Sequence, residues 1–588
     1  MAETKSSATG REGSAADTYD DSTRIWHSPG HLARYRERVA AEQARLRAVA
    51  ADCDAAQQRT LTELVEANAQ TLFGRQHGFA SIRSVRDLRA AVPIRDYAGH
   101  APWIEQAAAG RTAVLTADAP RVFFTSSGST GARKKVPVTA RFMHRSFFPF
   151  YLAAWAPLAE HYPQVLERPD AALNLKHDPL AAPDTTASGR PYAGASQIDL
   201  GRMFGEPLSA EPGSSAPWAT LPVPAARDDH ERKMYLRLRM AVESDVRLVI
   251  GINPAMIAAL PYQLRVWWPR IVKDVHDGTF DGAAGGEPNP GRAAELERLE
   301  ARHGTVLPAH VWPRISALFC WTTGAASLYL PRLREEYGIG VAVLPAPIAA
   351  SEGPIAVPLD RHATAGSLIA DAAVYEFIDA DEPIEPDSAT LAAYELEPGR
   401  DYHVVFSHVG GFYRYSGGDV VRVVDRVGGA PRLDYAGRAT VSDAAGERLR
   451  DAHAVRALMA ACSSTGLGLR SAACRVEKDP VSDLPYYEFA AAGRQTWSPA
   501  EITAFATALD SALGAQSSGY RAARTAGRLG AAVVQTTDHD AFQRDWLATV
   551  AAGTRPTQVK DRIFRQRPED WRRLAPGAAA RPEGGLVP

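Results

Sequence analysis

The stretch FFTSSGSTGARKKVPVT, residues 123–139, constrains the fold of this chain more than any other segment. Two apolar runs flank a segment of hydroxyl residues and glycines, which predicts a strand, a tight loop and a second strand. Hydroxyls, unobstructed amides and the charges of Lys134 and Lys135 suit an oligo-anion such as a nucleotide triphosphate. Neither GxxxxGK[ST] nor GxGxxG occurs, so a solvated turn with a charged edge is an equally simple interpretation of this stretch alone.

Length and charge limit the class of protein. The chain has 588 residues, enough for more than one domain, and a formal net charge of −2 that gives no argument for nucleic acid or an anionic membrane. Its four cysteines are scattered without metal-ligand spacing, and no apolar run is long enough to span a bilayer. We therefore expect a cytoplasmic protein, most simply a monomer, that binds small molecules.

Hydrophobic spacing predicts how the chain is divided. Residues 32–73 have helical spacing, 141–167 and 229–276 are helix-like and rich in aromatics, and short apolar runs from about 316 predict strands. Residues 440–565 alternate strand and helix patterns, which predicts a smaller α/β domain. The expected organisation is a disordered leader (1–21), a large domain (22–430), a Gly/Pro hinge (431–437), a small C-terminal domain (438–570) and a flexible tail (571–588).

Three later segments carry isolated charged residues with a possible chemical role. In APIAASEGPIAV, Glu352 offers the oxygen ligands that Mg²⁺ prefers. In GGFYRYSGGDVVRV, Asp419 precedes an apolar strand and could accept hydrogen bonds from both ribose hydroxyls. In TRPTQVKDRIFR, Lys560 is the only lysine near the end of the chain. A helix cap, a turn acid and a solvated charge explain each one singly, so only the combination is specific.

The order TSSGSTG…K, SEG, YRYxxGD and a near-terminal lysine resembles that of adenylate-forming enzymes. More narrowly, the chain resembles the plant auxin-responsive acyl acid–amido synthetases and their bacterial relatives, from about Ala67 to Arg565. The alanine- and arginine-rich composition favours a bacterial member. The resemblance implies a firefly-luciferase-like α/β fold. Its large N-terminal domain has β-sheets flanked by helices and a β-barrel-like part, and its small C-terminal α/β domain is mobile.

The same resemblance implies a reaction in two halves. A carboxylic acid and ATP give an acyl adenylate and pyrophosphate. An amine, which we expect to be an amino acid, then takes the acyl group and releases AMP. An acyl-CoA or other thioester-forming ligase and a catalytically silent acyl- or nucleotide-binding homologue remain open as alternatives. The expected ligands are thus ATP, Mg²⁺, a carboxylic acid and an amine.

Residue roles follow from the matched motifs. Lys560 would lie between the carboxylate and the α-phosphate, Ser351 would contact the α-phosphate, and Glu352 would bind Mg²⁺. Ile348 stands where the family usually has a tyrosine that packs on adenine, and which of the two adjacent lysines reaches phosphate is left open. The nucleotide-binding residues implied are Ser126, Ser127, Gly128, Ser129, Thr130, Gly131, Lys134, Lys135, Ile348, Ala350, Tyr413, Asp419 and Arg438.

The acyl pocket has no readable motif. Aromatic residues between 141 and 276 are candidates for its walls, although most aromatics at helical spacing belong to a core. The acyl-binding candidates are Phe148, Tyr151 and Trp155. No general base for the amine is assigned.

Overall fold

The computed structural model describes residues 29–127, 133–176, 178, 182–206, 212–213, 216–439, 441–559, 562–565 and 567–575. The α-helices of these ranges are Pro29–Ala51, Cys53–Asn68, Leu72–Gln76, Val85–Ala91, Tyr97–Ala108, Ala140–Phe142, Phe148–Ala153, Ala156–His161, Leu200–Phe204, His230–Ala241, Pro254–Asp277, Pro290–His303, Pro308–Val311, Leu330–Tyr337, Asp451–Thr465, Pro499–Gln516, Ser518–Thr525, Ala541–Ala551 and Pro568–Leu574. Among them, no helix has both the length and the apolar character that a membrane span requires.

The strands are numbered in chain order. They are β1 Val122–Ser127, β2 Arg133–Val138, β3 Ala172–Asn174, β4 Asp184–Thr185, β5 Pro191–Ala193, β6 Leu248–Ile250, β7 Thr279–Phe280, β8 Ala283–Ala284, β9 Ala317–Cys320, β10 Ala342–Pro345, β11 Ile348–Ala350, β12 Gly353–Val357, β13 Gly366–Leu368, β14 Val374–Asp379, β15 Asp401–Ser407, β16 Tyr415–Val427, β17 Ala430–Arg438, β18 Val441–Ser442, β19 Leu449–Arg450, β20 Leu469–Lys478, β21 Pro485–Gly493 and β22 Val533–Thr536.

The opening stretch forms the hairpin that its sequence predicts. Strands β1 and β2 pair antiparallel, with Ser126 opposite Lys134, and they form a four-stranded sheet with order β2-β1-β5-β4. The apolar side chains of Phe123 and Phe124 are fully buried, which anchors the hairpin in the main hydrophobic core. The residues that join the two strands lie outside the described ranges.

A parallel sheet, β10-β9-β6-β3, is covered on both faces, as parallel strands generally are. One face packs with the helices His230–Ala241 and Pro254–Asp277, and the other packs with Phe148–Ala153 and Ala156–His161. Strand β6 separates two helices in a region whose composition predicted helix throughout. Its short run of Leu, Val and Ile is fully buried, so burial on both faces overrides the local helical pattern.

Seven antiparallel strands form the largest sheet, in the order β11-β12-β13-β17-β16-β15-β14. Gly428 and Gly429 form the two-residue connection between β16 and β17, and Gly428 has φ of 60°, the conformation that short hairpins require. Residues 431–437, expected to form a hinge, therefore lie inside β17, bonded to β16 on one side and to β13 on the other. The glycines and the proline between 428 and 431 belong instead to the turn between β16 and β17 and to the first residues of β17.

The C-terminal part has the alternating pattern expected from sequence. Strands β20, β21 and β22 form one sheet, and the helices Asp451–Thr465 and Pro499–Gln516 pack against it around a separate core. The second helix begins at a capping box: Ser498 Oγ accepts from the Glu501 amide, and Glu501 accepts from the Ser498 amide. These features confirm an α/β region after the seven-stranded sheet.

Candidate functional site

A tight β-hairpin presents Ser351 and Glu352 at the edge of the seven-stranded sheet. They are the two residues between β11 and β12, with Ala350 paired to Gly353. The His408 Nε2–H donates to the backbone carbonyl oxygen of Glu352 at 2.6 Å. A Cβ on Gly353 would lie 3.2 Å from the His408 ring, so the glycine allows this close approach. The hydrogen bond from His408 therefore fixes the backbone at the tip of this hairpin.

His408 is held in one neutral form. Burial lowers its pKa to about 4. Its Nδ1 accepts from the Gly410 amide at 2.9 Å, which leaves the proton on Nε2 for the Glu352 carbonyl. A neutral imidazole with both nitrogens engaged is a fixed support.

The Glu352 side chain forms a three-membered cluster with Lys134 and Tyr415. Glu352 is 5% exposed, and its Oε1 accepts from Lys134 Nζ and from the Tyr415 hydroxyl, each at 3.0 Å. Lys134 Nζ also donates to the Tyr415 hydroxyl oxygen at 3.2 Å. The carboxylate is thus buried, paired and aimed at the hairpin that carries the Ser/Thr/Gly loop.

The two adjacent lysines point in different directions. Successive side chains on a strand alternate between faces. Lys134 Nζ donates to Glu352, whereas Lys135 Nζ donates to Glu105, in the helix Tyr97–Ala108, at 2.6 Å. Of the two, Lys134 therefore belongs to the cluster.

Asp419 lies beside this cluster on β16, opposite Arg438 on β17. It is 8% exposed, and its Oδ1 accepts from the Tyr435 hydroxyl at 3.2 Å and lies 3.7 Å from Arg438 Nη2. The Asp419 carboxylate is the main cause of a raised pKa of Arg438, and Glu352 contributes to the same shift. The guanidinium thus lies within the field of both carboxylates.

The Tyr415 hydroxyl lies between the carboxylates of Glu352 and Asp419. A Cβ built on Gly417 would lie 3.2 Å from Asp419 Oδ2 and 3.8 Å from the Tyr415 hydroxyl, so both groups border the same point. Burial raises the pKa of Tyr415, and the charges of Glu352 and Asp419 raise it further. Glu352, Asp419, Lys134 and Arg438 therefore form one neighbourhood of two acids and two bases.

Several expected nucleotide-binding residues lie elsewhere or outside the described ranges. Tyr413 is fully buried: its ring stacks on Phe73 with centroids 4.6 Å apart, and its hydroxyl donates to the Leu115 carbonyl. Its assignment to the nucleotide is therefore wrong, because no surface remains for a ligand. Ile348 is 9% exposed in β11, and Ala350 is half-buried beside the hairpin tip. Gly128, Ser129, Thr130, Gly131 and Lys560 lie outside the described residues, as do the side chains of Ser126 and Ser127.

The acyl-binding candidates are mostly core. Phe148 is 2% exposed and packs on Phe204, and Trp155 is 2% exposed and stacks on Phe319 with centroids 4.4 Å apart. Both assignments are corrected, since these rings fill hydrophobic clusters. Tyr151 alone is half-buried, and its hydroxyl accepts a hydrogen bond from Lys176 Nζ.

Sequence reasoning missed Tyr415, Tyr435 and His408. The first lies in the YRY motif, but no local signal distinguishes it from Tyr413. Arg414 between them has φ of 45°, so the strand alternation that would place both tyrosines on one face does not hold there. Tyr435 could have been found from hairpin pairing, because it lies three residues before Arg438 on the strand opposite Asp419.

Comparison with protein-family models gives matches along most of the chain. Residues 42–342 match the GH3 family N-terminal domain, 366–438 the GH3 family central domain, and 452–568 the GH3 family C-terminal domain.

Sequence relatives and solved structures agree with those matches. A probable indole-3-acetic acid-amido synthetase GH3.12 of Oryza sativa subsp. japonica is 26% identical over 64% of this chain and 68% of that protein. The indole-3-acetic acid-amido synthetase GH3.8 of Oryza sativa subsp. indica is 26% identical over 66% and 67%. The AtGH3.15 acyl acid amido synthetase in complex with 2,4-DB superposes with a TM-score of 0.74 at 18% identity, covering 92% and 96% of the two chains. The α/β fold of that synthetase is therefore shared.

Proposed function

The chain belongs to the GH3 family, and we propose that it adenylates a carboxylic acid with ATP and transfers the acyl group to an amine, forming an amide. The products are pyrophosphate and AMP. The observation that carries this proposal is the Lys134–Glu352–Tyr415 cluster beside Asp419, because it combines two cations and two carboxylates next to a Ser/Gly hairpin.

In the first half-reaction the protein mainly positions charge. The hairpin of β1 and β2, with Lys134, would hold phosphate oxygens, and Asp419 would accept hydrogen bonds from the ribose hydroxyls. Arg438 Nη2 lies 3.7 Å from Asp419 Oδ1 and would remain paired with this carboxylate. Ser351, at the same hairpin tip as Glu352, would contact the α-phosphate region.

Glu352 fits a magnesium ligand by its chemistry. A single buried carboxylate, together with phosphate oxygens and water, suits Mg²⁺, which when bound would supply positive charge beside the phosphates. Lys134 now occupies Oε1, so it would turn toward phosphate when Glu352 takes the ion.

The second half-reaction replaces AMP with the amine. Lys560 is proposed to lie between the carboxylate and the α-phosphate in one half-reaction and to leave in the other, through movement of the small C-terminal domain. We also propose the domain boundaries given above and a cytoplasmic location. A bacterial source is proposed from the alanine- and arginine-rich composition.

Pyrophosphate release tests the reaction. We expect release from wild type with at least one member of a panel of carboxylic acids, and amide formation when amino acids rather than coenzyme A are added. Thioester formation with coenzyme A would favour the acyl-CoA ligase. If no carboxylic acid in the panel causes pyrophosphate release, a binding protein without catalytic activity is favoured.

Asp419→Asn tests the site. Losing a charged acceptor for ribose hydroxyls costs about 1.5–3 kcal/mol for each bond, so kcat/KM for ATP should fall at least about tenfold. Asp425→Asn is the matched control on the same strand, since Asp425 pairs with Arg432 and is 53% exposed. Equal effects of the two substitutions would contradict the assignment.

A further inference from the structure

Strand β2, which carries Lys134, lies at the edge of its sheet. The sheet order β2-β1-β5-β4 places β1 on one side of it only. The backbone N–H and C=O groups on the other side need partners from elsewhere. At Lys135 one side chain supplies both: the Tyr97 hydroxyl accepts from the Lys135 amide at 2.6 Å and donates to the Lys135 carbonyl oxygen at 3.3 Å. Tyr97 therefore fixes the edge of β2 at the residue next to Lys134.

Tyr97 serves both backbone groups because its hydroxyl keeps its proton. Burial raises the pKa of Tyr97 to about 12. A hydroxyl has one donor and two acceptor sites, so a single phenol replaces a neighbouring strand at one residue. Since side chains alternate along a strand, holding the backbone at Lys135 also sets the direction in which Lys134 leaves the sheet.

The Tyr97 ring also faces the charge of Lys134. The Lys134 ammonium lies 5.2 Å from the centroid of the Tyr97 ring and 6.0 Å from that of Tyr415, which is the range of cation–π attraction. The Lys134 side chain is 20% exposed, so water screens this charge only in part. The ammonium thus lies between two aromatic rings and the carboxylate of Glu352, 3.0 Å from its Oε1.

A direct backbone contact fixes the spacing of these two rings. Arg95 forms a parallel bridge with Tyr415, and its amide donates to the Arg414 carbonyl oxygen at 3.0 Å. Tyr97 follows Arg95 by two residues and begins the helix Tyr97–Ala108. The segments that carry the two rings are therefore bonded to each other, and the position of the ammonium between them is set by the fold.

The rings give Lys134 partners that a ligand does not displace. Glu352 is the proposed ligand of Mg²⁺, so Lys134 has to release Oε1 of this carboxylate when the site is loaded. A ring face attracts the ammonium through its quadrupole and accepts none of its stronger hydrogen bonds. The hydrogen bonds of Lys134 are then free to pass from carboxylate to phosphate while the charge stays beside Tyr97.

We propose that Tyr97 is a positioning residue for nucleotide binding, because its ring holds the Lys134 ammonium beside the phosphate oxygens of bound ATP. This rests on the proposed function, in which Lys134 binds phosphate. If the ring acts on a cation, its negative charge density should govern the affinity for ATP. If Tyr97 only completes the edge of β2, the charge density of its ring should have no effect on that affinity.

The test places phenylalanine, and phenylalanine with one, two or three ring fluorines, at position 97 of the full chain. Fluorine withdraws charge from the ring face at nearly constant ring size, so the series weakens cation–π attraction step by step. Each member lacks the hydroxyl, so the members are compared with one another. Calorimetry gives the Kd for Mg·ATP, and urea unfolding gives the stability of each variant.

Trp103 provides the matched control. It is half-buried on the same helix, and the Arg95 guanidinium lies 5.3 Å from its ring centroid. A fluorinated indole at position 103 therefore weakens a similar attraction away from Lys134. If Tyr97→Phe does not fold, tyrosine with two ring fluorines at position 97 keeps the hydroxyl and replaces the series.

We expect the Kd for Mg·ATP to rise with each fluorine at position 97, by about two- to thirtyfold from phenylalanine to its trifluoro derivative, as cation–π energies predict. The free energy of unfolding should stay equal along the series, and fluorination at Trp103 should leave the Kd unchanged. With difluorotyrosine at position 97, the Kd should rise in the same direction.

An equal Kd along the series would overturn the proposal, as would an equal response to fluorination at Trp103 or a Kd that changes only where stability changes. Failure of the proposed function is a separate result. Wild type would then bind Mg·ATP with the same dependence on ring charge, yet release no pyrophosphate with any carboxylic acid. Wild type that binds no Mg·ATP would contradict both.

Discussion

Replacing Tyr415 with Phe removes one hydroxyl from the centre of the site. That hydroxyl donates to Glu352 Oε1 at 3.0 Å and accepts from Lys134 Nζ at 3.2 Å. Glu352 and Lys134 keep their own contact at 3.0 Å, so neither charge is left unpaired. The loss should then be near the lower bound for a hydrogen bond to a charged group, about 1.5 kcal/mol, or about tenfold in kcat/KM for Mg·ATP.

The ring itself should stay in place. Tyr415 is 1% exposed and packs on Phe412 with centroids 4.5 Å apart and on Phe406 at 5.4 Å. Phe preserves those contacts, so the melting temperature should change little. The assay is acid-dependent pyrophosphate release with ATP varied at saturating donor, alongside thermal unfolding of the same preparations.

Tyr413→Phe is the matched control, two residues earlier. Its hydroxyl donates to the buried Leu115 carbonyl, so its loss leaves an acceptor unsatisfied and should cost about 1–3 kcal/mol of stability. The rate per folded molecule should be unchanged. A rate loss in Tyr413→Phe with none in Tyr415→Phe would refute the placement of the site.

Two further predictions concern the same residues. Lys134→Met should leave the buried Glu352 without its cationic partner, lowering the rate of pyrophosphate release at least about tenfold and the free energy of unfolding by about 1–3 kcal/mol. Lys135→Met is the control, because it breaks an exposed pair with Glu105 worth under about 1 kcal/mol. Rates and urea unfolding are measured for both variants, and equal losses would contradict the assignment of Lys134. The pKa of His408, lowered to about 4, implies stability that is complete above about pH 6.5 and is lost as the pH falls toward 4. His408→Gln should therefore reduce the loss of unfolding free energy between pH 7 and pH 5 by about 2 kcal/mol, and an unchanged pH dependence would contradict a buried neutral imidazole.

The sequence predicted the elements that local patterns specify. The apolar runs on the two sides of the Ser/Gly segment pair as strands β1 and β2, and the motif acids Glu352 and Asp419 lie in one neighbourhood. The direction of Lys134 followed only from strand register, which the sequence leaves undetermined.

The rest depended on long-range packing. The Gly/Pro segment at 431–437 suggested a hinge, yet its pairing on both sides comes from strands distant in sequence. Tyr415, and not the predicted Tyr413, lies in the site because Arg414 between them adopts a left-handed backbone conformation. A buried ion pair between Arg414 and Glu376 at 2.9 Å holds that conformation. The contact of Tyr97 with the edge of β2 joins segments that no local pattern connects.

A crystal structure with Mg²⁺ and a non-hydrolysable acyl-adenylate mimic would show directly which side chains contact the nucleotide. We expect ribose hydroxyls within hydrogen-bond distance of Asp419, the α-phosphate beside Ser351 and Glu352, and Lys134 turned toward the nucleotide. A nucleotide bound elsewhere, with the Lys134–Glu352–Tyr415 cluster undisturbed, would contradict this expectation.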